Sequence, residues 1–147
     1  MLRVYTIGYQ RRSFGDFYET LVGSGVRALV DIRRKPQSQL AGYAKRSTLE
    51  YIFTHLTPLS YAHHPRLAPS LALLQALKGG DVPWDEFADL YRAEVSQPPL
   101  IVEFLNLAKG SATCFMCFER DHTHCHRALL MGAMQEITGT PFEVVHL

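Results

Sequence analysis

No uncharged apolar run in this chain approaches the roughly 18 residues needed to cross a bilayer. Arg3, Arg11 and Arg12 leave no room near the N-terminus for the apolar core of a signal peptide, so the chain reads as cytoplasmic with no membrane partner. The pattern G-x-G-x-x-G is missing and so is the P-loop pattern, which removes a dinucleotide dehydrogenase and a P-loop phosphotransferase. Internal repeats, low-complexity tracts and Pro/Gly/Ser-rich linkers are missing too, in keeping with one α/β domain over residues 1–147. Cysteine is scarce. Cys114, Cys117 and Cys125 are an odd count packed within a short segment, which suits reduced thiols or a metal better than a secreted disulfide framework. Reduced thiols are the expectation.

An excess of one charge is also lacking, since 15 Lys and Arg face 14 Asp and Glu for a formal net charge of +1. The balance hides an asymmetry: residues 1–46 hold nine basic and three acidic side chains, whereas residues 47–147 hold six and eleven. An N-terminal basic surface would raise the local concentration of phosphorylated ligands or nucleic acid, and a solvated face lying next to the acidic half is the structural alternative. With 47% hydrophobic residues in 147, a full core can form without disulfides or a structural metal.

The patterning alternates strand and helix. Val4 to Gly8 is β-branched and aromatic, Ser13 can cap a helix carrying Phe14, Phe17, Tyr18 and Leu21, and Val26 to Ile32 is a second apolar run, together a βαβ unit. Further helices are expected at Ser47 to Leu56, Leu71 to Leu77, from Pro83, over Ile101 to Ala108, and from about Thr123 through Ile137. Ser60 to His63 reads as a short strand, Phe142 to Leu147 as a closing one. The uninterrupted run Ala112 to Phe118 has the composition of a central parallel strand buried on both faces. These features predict a three-layer, Rossmann-like α/β domain with a mostly parallel sheet of about five strands.

Ligands of such sheets bind outside the carboxyl ends of the strands, which singles out Gly8 and Tyr9, Asp31 to Arg34, His63 and His64, Glu119 to Arg127 and, more weakly, His146. Side chains alternate along a strand, so Asp31 and Arg33 share a face, and Arg33 with Arg127 can recognise phosphate or carboxylate, with Ser38 adding a hydroxyl. Arg33 paired to Asp31 as a loop-orienting device is the structural alternative. Glu119 leaves the end of the strongest strand and can act as general base or covalent nucleophile, with Asp31 as orienting or second carboxylate. Cys125 sits near the start of the last long helix beside His126 and Arg127, where thiol pKa values fall; burial under the 129–134 face would instead leave it inert. Tyr9, Tyr43 and Tyr61 could stack a base or simply pack a core. Cys114 and Cys117 lie an odd number apart in a strand and must point to opposite faces, so no single metal can bind both. A site using Cys117, Cys125 and a histidine stays open, and neither metal nor cofactor is assigned.

Thr6-Ile7-Gly8, Asp31-Ile32-Arg33 with Pro36 and Ser38, Cys117-Phe118-Glu119 and Cys125-His126-Arg127 stand in an order and spacing that resemble the domain-of-unknown-function family 488. The resemblance spans nearly the whole chain. It implies a Rossmann-like fold with a strand-end pocket lined by Arg33, Ser38, Glu119, Cys125 and Arg127, and it supplies no reaction. The residues themselves point to an enzyme acting on a phosphate-bearing small molecule, nucleotide or nucleic acid, by glycosyl or N-glycosidic transfer or hydrolysis. Glu119, Cys125 and Asp31 are its candidate catalytic groups, and Arg33, Ser38, Arg127, Gly8, Tyr9 and His126 its candidate substrate contacts. The alternatives are a non-catalytic nucleic-acid-binding module and a metal or thiol sensor.

Overall fold

The strand Leu2–Gly8 (β1) feeds a helix, Phe14–Gly23 (α1), whose first turn is closed by Ser13 Oγ accepting from the Asp16 amide at 3.1 Å. A computed structural model of the protein describes residues 2–36, 42–110 and 112–147. Gly25, at φ 79°, turns the chain from α1 into the strand Ala28–Asp31 (β2). Then come helix Arg46–His55 (α2), strand Ser60–His63 (β3), and helices Leu71–Lys78 (α3), Trp84–Val95 (α4) and Pro98–Ala108 (α5). Strand Thr113–Cys117 (β4), helix His126–Thr138 (α6) and strand Phe142–His146 (β5) complete the described elements.

All pairings are parallel and the strand order is β3-β2-β4-β1-β5, a three-layer, Rossmann-like α/β fold. The late strand β4 is inserted between β1 and β2, and every one of its residues is buried, as its unbroken apolar run predicts for a strand covered on both faces. Period-two alternation then divides the core. Ile7, Leu29, Cys114 and Met116 face α1 and α2 together with Phe17, Leu21, Leu49 and Phe53. Val4, Val30, Phe115 and Phe142 face the other way, against Phe87 and Tyr91 of α4, Phe104 of α5 and Leu130 and Met134 of α6. The chain leaves β1 toward the α1 face but leaves its neighbour β4 toward the α6 face, which makes the β1/β4 edge the topological switch point of the sheet.

Two boundaries differ from expectation. Pro98 and Pro99 do not break the chain before a helix at Ile101; they are the first turn of α5, where a missing N–H leaves nothing unpaired. The last long helix begins at His126 and not near Thr123, because Asp121 accepts from both the backbone and the hydroxyl of Thr123 and winds His122–His124 into a separate 3-10 turn. Cys125 is therefore the extended N-cap residue of α6, turned inward and 2% exposed.

Candidate functional site at the carboxyl edge

On the α1 and α2 face, Asp31 is wholly buried and its carboxylate is saturated. Arg33 donates to it from its own amide (3.1 Å), from Nε (2.8 Å) and from Nη2 (2.6 Å), and Tyr61 donates its hydroxyl at 2.6 Å. Arg33 Nη2 also reaches the Ala44 carbonyl at 2.7 Å, and the guanidinium lies 5.0 Å over the Tyr9 ring. Arg33 Nη1 is buried with no partner among the described residues. Burial alone would lower the arginine's pKa, and the Asp31 carboxylate overcomes it and holds the guanidinium charged. The period-two argument thus places Asp31 and Arg33 together, and the pair ties the end of β2 to Ala44. Ser38, expected in the same pocket, lies outside the described residues.

Arg127 is also completely buried, but on the α6 face. It donates through Nε to Thr6 Oγ1 (3.1 Å), through Nη1 to Cys117 Sγ (3.1 Å) and the Glu119 carbonyl, and through Nη2 to the Arg120 carbonyl (3.0 Å). Burial pulls its pKa down to about 10. The guanidinium therefore binds the chain that leaves β4. Gly8 explains how that chain fits: a Cβ there would fall inside the Glu119 carbonyl and 2.9 Å from Arg127 Nη1. The glycine permits close approach of the protein's own backbone, a requirement visible in sequence only as a glycine at a strand end.

The Cys117 and Cys125 sulfurs meet, with their Cα atoms 7.6 Å apart. The end of β4 and the N-cap of α6 both project onto the α6 face, where Arg127 gathers them. Cys114 points to the opposite face, is free, and burial pushes its thiol pKa up. Among the described residues no group of three His, Cys, Asp or Glu side chains is arranged to hold a metal.

A groove of about 220 Å³ opens beside this cluster. Leu74 and Leu77 of α3 and Trp84 and Phe87 of α4 form one wall, while Phe118, Glu119, His124, Cys125 and His126 form the other. Trp84 stacks on Phe87 at 5.2 Å and meets His124 at 5.3 Å. His126 Nε2 is 3.0 Å from the Ile32 carbonyl, an acceptor only, so that nitrogen carries the proton and Nδ1 is left as an acceptor. Burial holds its pKa down to about 4, which keeps the ring neutral.

The structure thus brings Glu119, Cys125, His126 and Arg127 together; the Asp31 and Arg33 side chains lie on the α1 and α2 face, His126 reaches the Ile32 carbonyl between them, and Tyr9 packs on the groove residue Phe118 at 5.2 Å. Of the nine N-terminal cations, Arg3, Arg12 and Arg33 pair with Glu143, Asp16 and Asp31, and Arg34 donates to the Pro69 and Ala68 carbonyls. Trp84 escaped the sequence reading because nothing local to its helix marks it as a neighbour of β4. Thr6 escaped because its hydroxyl sits in an ordinary β-branched strand.

A family model described as Domain of unknown function DUF488 matches residues 13–134, most of the chain. No curated protein and no solved structure matches it.

Proposed function

For this chain, which belongs to the DUF488 family, we propose an enzyme that takes a flat, base-like ring of a phosphate-bearing nucleotide into the groove and works on it with Glu119. The observation that carries this reading is the groove itself: Trp84, Phe87 and Phe118 offer aromatic surface, and Glu119 stands among them as its carboxylate. A volume of about 220 Å³ suits a ring and excludes a whole nucleotide, so sugar and phosphate extend past the exposed His124 out of the groove. Arg33 and Arg127 act as positioning residues in this reading, since their hydrogen bonds go to the protein. A carboxylate beside a bound base can serve as general acid–base or as nucleophile in N-glycosidic transfer or hydrolysis.

Calorimetric titration with nucleosides, nucleotides and sugar phosphates tests the proposal. Nucleobase ligands bind saturably, W84A weakens them by about 10- to 100-fold through lost stacking, and Glu119→Gln keeps binding while abolishing turnover. If no nucleobase compound binds, or polyanions bind with steep salt dependence and indifference to Trp84 and Glu119, the enzyme reading fails in favour of a nucleic-acid-binding module.

A further inference from the structure

Arg127 is fully buried, and among the described residues no carboxylate lies within ion-pair distance of it. A buried cation without a counter-ion is costly. Its acceptors are a threonine hydroxyl, two peptide carbonyls and Cys117 Sγ, and of these the sulfur alone can carry a full negative charge. That sulfur meets Cys125, whose side chain makes no capping bond at the positive end of the thirteen-residue helix α6 and also lines the groove. Two thiols in contact, one against a guanidinium and the other on the wall of the groove although only 2% exposed, form a chemical site separate from whatever ring the groove accepts.

We propose that Cys117 and Cys125 are a reversible dithiol–disulfide couple that reacts with small hydroperoxides, Cys125 attacking first and Cys117 resolving. In the reduced pair one proton is shared between the sulfurs and Arg127 balances the remaining charge. The Cys125 thiolate, with the proton resting on Cys117, attacks the terminal oxygen of the hydroperoxide. An S–O bond forms, the O–O bond breaks, the sulfur loses two electrons, and the departing alkoxide takes a proton from water. Cys117 then attacks the Cys125 sulfenic acid; the S–S bond forms, the S–O bond breaks, and hydroxide leaves as water with the Cys117 proton. The proton released when the dithiol ionises neutralises the hydroxide left by the water that protonated the alkoxide, so the net change converts two thiols and one hydroperoxide into a disulfide, an alcohol and water. A dithiol reductant reverses the protein's oxidation by exchange. Cys114, buried on the far side of the sheet, takes no part.

The test uses the full chain, reduced, desalted and treated at pH 7 with one equivalent of hydrogen peroxide. Titratable thiols under denaturing conditions fall from three to one, the mass drops by two hydrogens, and peptide mapping links Cys117 to Cys125 within one chain. Dithiothreitol restores all three thiols. Cys117→Ser halts at a Cys125 sulfenic acid trapped by dimedone, Cys114→Ser still closes the bridge, and R127K slows closure by about tenfold. Because an Arg127 variant can fail to fold, the two cysteine variants carry the decision. Persistence of three thiols after peroxide, a bridge to Cys114 or between chains, or stoichiometric zinc on the reduced protein that vanishes in Cys117→Ser would each overturn the couple. No groove ligand enters the assay, so its failure is distinct from failure of the nucleotide reading.

Discussion

Replacing Gly8 with alanine adds one methyl group at the most crowded backbone crossing of the site. The new Cβ would fall inside the Glu119 carbonyl and 2.9 Å from Arg127 Nη1, and the main-chain atom it meets cannot rotate away as a side chain would. The β4–α6 connection must shift, which detaches the Glu119 carbonyl from Arg127. Overpacking costs about 1–3 kcal/mol and loss of a hydrogen bond to a charged group about 1.5–3 kcal/mol, so the expected destabilisation is roughly 3–5 kcal/mol. Against a typical stability of about 5–15 kcal/mol this is a large fraction, and at about 2–4 °C per kcal/mol the melting temperature falls by roughly 10 °C or more. Urea unfolding followed by circular dichroism gives the free energy, and calorimetry gives Tm. Gly132→Ala is the matched control: it adds the same methyl inside α6, where nothing lies within 4 Å, and gains roughly 0.5–1 kcal/mol. If Gly8→Ala unfolds within about 0.5 kcal/mol of the parent, the backbone crossing is not what the glycine is for. Loss of ligand binding at unchanged stability would restore the sequence expectation of a ligand contact.

His126 is held neutral at a pKa of about 4, whereas an unfolded imidazole titrates near 6.5. Between those values the unfolded chain binds the extra proton, so stability is complete above about pH 6.5 and falls as the pH drops toward 4, by up to about 3 kcal/mol. Urea midpoints of the parent measured from pH 7.5 to 4.5 should fall more steeply than those of His126→Asn, and parallel slopes would refute the burial argument. His146, held down to about 4 by burial and by His122 stacked 3.8 Å away, adds to the same acid loss. Asp31→Asn leaves the buried Arg33 uncompensated and is expected to cost about 3–5 kcal/mol, against about 1 kcal/mol for Tyr61→Phe, both read by urea unfolding. Because that cluster lies across the sheet from the groove, Tyr61→Phe should bind nucleobase ligands with the parent's affinity, and a tenfold loss would join the two faces into one site.

Much of the architecture was legible because side-chain periodicity reports on the element that carries it. The alternation of strands and helices, the doubly buried run of β4, the shared face of Asp31 and Arg33 and the opposite faces of Cys114 and Cys117 all follow from local geometry. The concentration of polar residues just after the strands was enough to point to the carboxyl edge. Periodicity says nothing about which element comes to lie alongside. That β4 enters between β1 and β2 is a long-range pairing, and it alone makes Gly8 a crossing point for the backbone after Glu119. The same insertion carries Arg127 and Cys117 to the face opposite Arg33, and packing of α4 against α6 brings Trp84 to Glu119 and Cys125. Each residue's type was set by the chain, but its neighbours were set by strand order and helix packing, because the contacts that define this site join segments more than a hundred residues apart, as Arg127 does with Thr6.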